Sequence, residues 1–231
     1  MSQSSIGRDF NKLRIIVSTL LFWYFGSAFP VWAEPEEIDT NGCRECHRLS
    51  SKEKKSDKGP DLFYAGDKFY KNWLNKFLQS PTVIREVNVF SELDFLRKKH
   101  KASNTHVALA KEGAERVANF LMTLRLPNLE VGKVNKEPLS KGERAKTKIL
   151  FERSFGCISC HRTLNLVGKV RGGVSGPSLV NSGLRLKPDW IFHWLKKPQK
   201  FMYEGRMPVF DLDEETAIRI TKYIFGIRTN P

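Results

Sequence analysis

Gly42-Cys43-Arg44-Glu45-Cys46-His47 and Gly156-Cys157-Ile158-Ser159-Cys160-His161 are the two stretches whose reading decides the fold. Each is a C-x-x-C-H pattern, and together they use all four cysteines of the chain. Two thiols three positions apart can add across the two vinyl groups of one haem, and the adjacent histidine then reaches the iron as proximal ligand. A disulfide or a zinc site would also use a C-x-x-C pair, but neither accounts for a histidine directly after both pairs. A thioredoxin-like redox pair needs a strand before it, and nothing before Cys43 reads as one. The spacing therefore predicts two covalently bound haem c groups, attached through Cys43, Cys46, Cys157 and Cys160, with His47 and His161 on the irons.

Around these motifs the chain resembles the class I cytochrome c family. A glycine precedes each motif, and Lys148 to Gly156 is similar to the first helix of that family, leading into the haem. Gly176-Pro177-Ser178-Leu179 resembles its proximal loop, and Arg206-Met207-Pro208-Val209-Phe210 its loop bearing the distal methionine. The resemblance implies an all-α fold of two tandem cytochrome c-like domains, each a few helices around its haem. It also implies that Pro60 and Pro177 pack against the proximal histidines.

An internal repeat extends the argument along the chain. Gly59-Pro60-Asp61-Leu62 matches Gly176-Pro177-Ser178-Leu179 at an offset of 117. The same offset carries Trp73 to Trp190, Leu74 to Ile191, Phe77 to Trp194, Leu78 to Leu195 and Pro81 to Pro198. Both stretches read as one face of a helix ended by proline. The haem motifs are offset by 114, so the loop behind the second is three residues longer. Towards the end of each half the offset falls to 103, pairing Leu109 with Leu212, Val117 with Ile220 and Leu121 with Ile224. That pattern is a closing amphipathic helix in each half, with Asp213 as N-cap of the second. The expected organisation is a leader over 1–33, a first domain over 34–126, a linker over 127–139 and a second domain over 140–231.

The shift in offset places 14 additional residues between Pro81 and Leu109, where the distal loop of the first half should lie. In the second half Met207 stands five residues before Leu212 and is the expected sixth ligand. The equivalent position in the first half is Asn104, and no methionine occurs between Met1 and Met122. The candidates there are His106 and, as the alternative, His100 in a basic run; an open or otherwise ligated iron is the third option. Imidazole in place of thioether lowers a haem potential, so the first centre is expected to be the lower one. Trp73 and Trp190 either donate an indole N–H to a haem propionate or pack in the core. His193 reads as a helix-face residue.

Composition bounds the rest. The chain has 231 residues, 40% hydrophobic, with 16 Phe and 5 Trp, which excludes general disorder. Its one long apolar run, Ile15 to Phe29, follows Arg8, Lys12 and Arg14 and precedes Val31-Trp32-Ala33, the layout of a secretory leader. Left uncleaved, that leader would tether the protein to the membrane. Its removal lowers the formal charge from +14 to +12. Basic clusters at Lys52–Lys55, Arg97–Lys101 and Lys196–Lys200 suit an acidic redox partner, while export argues against nucleic acid. The expected function is an exported, periplasmic-type dihaem cytochrome c relaying single electrons between redox proteins. The irregular first site keeps a dihaem enzyme of the peroxidase or sulfur-compound type as an alternative. A haem subunit of a membrane-bound respiratory complex is the third reading.

Overall fold

Among the described residues, the second half repeats the helix order of the first with a hairpin and one short helix added. In this computed structural model, which describes residues 33–54, 58–85, 106–202 and 207–229, the first half comprises four α-helices. They are α1 (Glu37–Thr40), α2 (Ala65–Lys68), α3 (Lys71–Gln79) and α4 (Lys111–Thr123). The second half contains α5 (Lys141–Ile149), α6 (Ser182–Arg185), α7 (Pro188–Lys196), α8 (Pro198–Phe201) and α9 (Glu214–Phe225). Its two short strands, β1 (Thr163–Leu164) and β2 (Val170–Arg171), pair antiparallel in a hairpin. That hairpin occupies the longer loop behind the second motif. The fold is mostly helical.

Local chemistry fixes the helix ends. Ser140 and Glu143 form a reciprocal capping box at the start of α5. Pro188 occupies the first turn of α7, where its missing N–H costs nothing. The Asp213 carboxylate accepts the Thr216 N–H at 2.8 Å, the N-cap expected for α9. α5 runs on through a wider turn, Leu150–Ser154, and buries Phe151 just ahead of the second motif. Among the described residues, the first motif is preceded by the single turn α1, which buries Ile38.

The closing helices dock on α2 and α6 through two glycines. Gly66 N–H donates to Leu124 O at 2.8 Å and Gly183 N–H to Ile227 O at 2.9 Å. A Cβ on Gly66 would stand 2.3 Å from Met122 O, and one on Gly183 would stand 1.8 Å from Phe225 O. Only glycine lets the helix carbonyls approach this closely.

The halves meet about a local two-fold axis. Phe69 and Leu186, 117 positions apart, form an antiparallel bridge. On either side of it Tyr70 N–H donates to Arg185 O at 3.1 Å and Lys187 N–H to Lys68 O at 2.9 Å. Each bond is the image of the other under the repeat. Around this joint Tyr64 of the first half stacks on Trp190 of the second, with ring centroids 4.6 Å apart. The residues from Glu34 onward form one compact unit, with a core continuous across both halves. The connector after α4 is tied down as well, since the Asp189 carboxylate accepts the N–H groups of Gly132 and Val134.

Candidate functional site

The two C-x-x-C-H stretches take the same conformation. Gly42 and Gly156 are both left-handed, at φ 61° and 62°, and each opens a 3-10 turn, Cys43–Glu45 and Cys157–Ser159. His47 N–H donates to Cys43 O at 2.9 Å and His161 N–H to Cys157 O at 3.0 Å. A non-glycine residue would be strained at either opening position. All four cysteines are free thiols, and burial pushes the Cys157 thiol up to about 11 and raises that of Cys43. Among the described residues, no group of three or more His, Cys, Asp and Glu side chains gathers as a metal-ion cage would require.

Both imidazoles are set by their backbones. His47 Nδ1 lies 2.7 Å from Pro60 O, and His161 Nδ1 lies 2.7 Å from Pro177 O. With Nδ1–H donated to the carbonyl, Nε2 is the nitrogen left for a metal or a proton. Burial is the main reason both rings are held below the usual histidine range. Gly59 and Gly176 make room for them, because a Cβ at either would fall 2.6 Å from the ring Cε1. The Gly-Pro pairs read from the sequence are therefore the seats of the two histidines. Leu62 N–H to Arg48 O and Leu179 N–H to Arg162 O close the two loops alike, at 2.8 and 2.9 Å.

The two halves differ on the opposite side. His106 lies with its ring centroid 6.1 Å from that of His47 and 5.1 Å from Phe77. Its Nδ1 is 2.9 Å from Val107 O. In the second half Trp194, the counterpart of Phe77, donates its indole N–H to Met207 Sδ at 2.9 Å. Asn104, His100 and the cluster Arg97–Lys101 lie outside the described residues, as do residues 1–32 of the leader and Lys55.

Trp73 and Trp190 serve as packing surfaces. Trp73 stacks between Phe69 and Phe77 at 5.3 and 5.0 Å, and Trp190 is only 2% exposed. His193 Nε2 lies 2.9 Å from Glu130 O, on the face of α7 towards the connector. Lys196 donates to Leu212 O, whereas Lys197 and Lys200 are exposed.

Two functional candidates escape motif reading. Lys68 and Arg185 are partners at the 117 offset, on the last turns of α2 and α6, and both are largely removed from water. Burial drives Lys68 down to about 7 and Arg185 down to about 10. Continuing the repeat six positions past Leu62 and Leu179 would have found them. The hairpin is the other: Leu166 and Val167 at its tip are 89% and 75% exposed. Between Glu152 and Asp189 the chain carries six Lys and Arg residues and no acid. Comparisons of the chain with protein families, with curated proteins and with solved structures find no match.

Proposed function

We propose that this chain is an exported dihaem cytochrome c of the class I type, which passes single electrons between redox proteins. The observation that carries the reading is the duplicated imidazole setting. Twice, a left-handed glycine opens a C-x-x-C turn, and twice the following histidine gives Nδ1 to a proline carbonyl and keeps Nε2 for a ligand bond. Free thiols at Cys43, Cys46, Cys157 and Cys160 suit one thioether attachment each, two to a haem. The orphaned Nε of buried Arg185 fits a carboxylate, which haem brings as propionate.

Haem, when bound, supplies the one-electron ferric–ferrous couple. The chain supplies the rest. Pro60 O and Pro177 O fix the tautomer and tilt of His47 and His161 and make Nε2 a stronger donor. Met207 would help hold the second haem iron and His106 the first. Thioether raises and imidazole lowers a haem potential, so with these ligands the first centre would be the lower one and would serve as donor to the second. The buried aromatic packing excludes water and keeps reorganisation small. The exposed hairpin and the acid-free stretch around it favour an acidic partner at the second centre.

The test is expression in a host with a c-type maturation system. Intact mass, haem stain after denaturing electrophoresis and a redox titration are then measured. Two covalent haems per chain and two one-electron waves are expected. A chain that matures without covalent haem overturns the reading.

A further inference from the structure

We infer that the stretch after α3, through Ile84 and Arg85, is a built part of the second centre, where it positions His161 from the other half. This rests on the dihaem reading above for what His161 holds, and on hydrogen-bond geometry for how His161 is held.

The Pro177–Ser178 peptide group carries the argument, because it is bonded at both ends. Its carbonyl lies 2.7 Å from His161 Nδ1. Its N–H, that of Ser178, donates to Ile84 O at 2.7 Å. Beside this bond Arg85 Nε donates to Ser175 O at 3.1 Å, so two consecutive residues of the first half grip one loop of the second. A bond made by the N–H of an amide polarises the group and makes its carbonyl a better acceptor. Ile84 O, the peptide and the imidazole therefore form one line, begun in one half and ended in the other.

The first half secures its own histidine differently. Asp61 is the counterpart of Ser178 at the 117 offset, and its carboxylate accepts from Arg48 Nε and Nη2 at 2.7 and 2.6 Å. That pair is largely buried and lies wholly within the half it serves. Among the described residues, the Asp61 N–H makes no main-chain bond. Arg162, the counterpart of Arg48 at the offset of the motifs, has a serine where Arg48 has its carboxylate. The loop backbone is nonetheless alike, since Leu62 N–H and Leu179 N–H close onto Arg48 O and Arg162 O. Absence of the acid and arrival of Ile84 and Arg85 thus coincide at one peptide.

The repeat shows how the first half supplies this contact. Pro198 opens α8, which carries Phe201 into the core, 4.5 Å from the ring of Trp190. At the matching Pro81 no helix forms, and the chain continues without one through Arg85. Ile84, the counterpart of Phe201, meets the ligand loop of the other half instead.

The experiment is amide and ring N–H exchange, read by NMR on the mature ferrous protein. It compares the wild type, Arg85→Met, and Arg85→Met combined with Ser178→Asp. In the wild type the Ser178 amide must exchange slowly, and an open-chain rate there overturns the inference without any variant. In Arg85→Met, the Ser178 amide and His161 Nδ1–H are expected to exchange about tenfold faster, the worth of one hydrogen bond from a charged group. His47 Nδ1–H keeps its rate. Ser178→Asp gives Arg162 the acid that Arg48 has in the first half, and is expected to slow His161 Nδ1–H again in the double variant. Unchanged exchange in Arg85→Met, an equal rise at His47, or no recovery with the added acid overturns the inference. Should Arg85→Met fail to mature, Arg85→Gln replaces it. The Ser178 amide is readable with or without cofactor, so a wild type lacking covalent haem overturns the dihaem reading alone.

Discussion

The imidazole rings of His47 and His106 lie 6.1 Å apart, centre to centre. Two rings that share one metal ion through Nε2 stand at about 6.2 Å, from two bonds of about 2.0 Å and about 1.1 Å from each nitrogen to its ring centre. His106 stands three residues before Leu109, and Phe77 holds its ring edge-on. His106→Ala should abolish the low-spin, bis-imidazole resonance of the first centre and leave the second untouched. His106→Met should restore a low-spin centre and raise its potential. Low-temperature paramagnetic resonance with a redox titration reads both, and an unchanged spectrum in the alanine variant would remove His106 from the iron.

A second prediction concerns Trp194, whose indole N–H reaches Met207 Sδ at 2.9 Å. A donor on the thioether draws electron density from the sulfur and makes it a poorer ligand for ferric iron, which raises the potential. Trp194→Phe installs the residue that the first half already carries at this repeat position, Phe77. The potential of the second centre should fall by the equivalent of about 1 kcal/mol, the net worth of one such bond. The first centre should not move. A variant whose second centre keeps its potential shows that the bond does no tuning.

Two glycines give a prediction that involves no cofactor. Gly183→Ala forces a Cβ to within 1.8 Å of Phe225 O, and Gly66→Ala to within 2.3 Å of Met122 O. Backbone cannot retreat cheaply, so each should cost about 1–3 kcal/mol or more, with Gly183 the worse. Gly142 in α5 has nothing within 4 Å of an added Cβ. Gly142→Ala should therefore be neutral or stabilising by up to about 1 kcal/mol. Denaturant melts of the three variants decide it.

These glycines also mark what the sequence could and could not reveal. The C-x-x-C-H motifs, the Gly-Pro seats and the helix faces announce themselves because identity and apolar period repeat over several residues. Asp213 was legible as a cap because acid before an apolar helix has one strong use. Gly66 and Gly183 share the 117 offset, but their purpose is a contact with carbonyls in a helix that follows the other offset, 103. Only folding brings the two offsets together. The same holds for Lys68 and Arg185: the 117 offset pairs them, but their meaning comes from the joint at which they sit. Likewise Trp194 reads as one more core aromatic until Met207 is placed beside its N–H.

Asp189 supplies the last prediction. Its carboxylate accepts Gly132 N–H at 2.8 Å and Val134 N–H at 3.0 Å, fastening the connector to the first turn of α7. Val134, 4% exposed, is buried by this attachment, and Lys133 is then placed to meet Glu214 of α9 at 2.7 Å. Asp189→Ala removes two charge-assisted bonds and should cost about 1.5–3 kcal/mol for the first bond lost, less for the second. The loss falls on the connector alone, because Leu74 of α3 and Ile191 of α7 stay packed in the core whether or not it is attached. Limited proteolysis should then cut between Leu126 and Leu139 several-fold faster than in the wild type, while the α-helical dichroism is unchanged. Asp189→Asn, which keeps one carbonyl acceptor, should recover part of the protection. Equal cleavage rates in all three proteins would show that the connector is held by Val134 burial and not by Asp189.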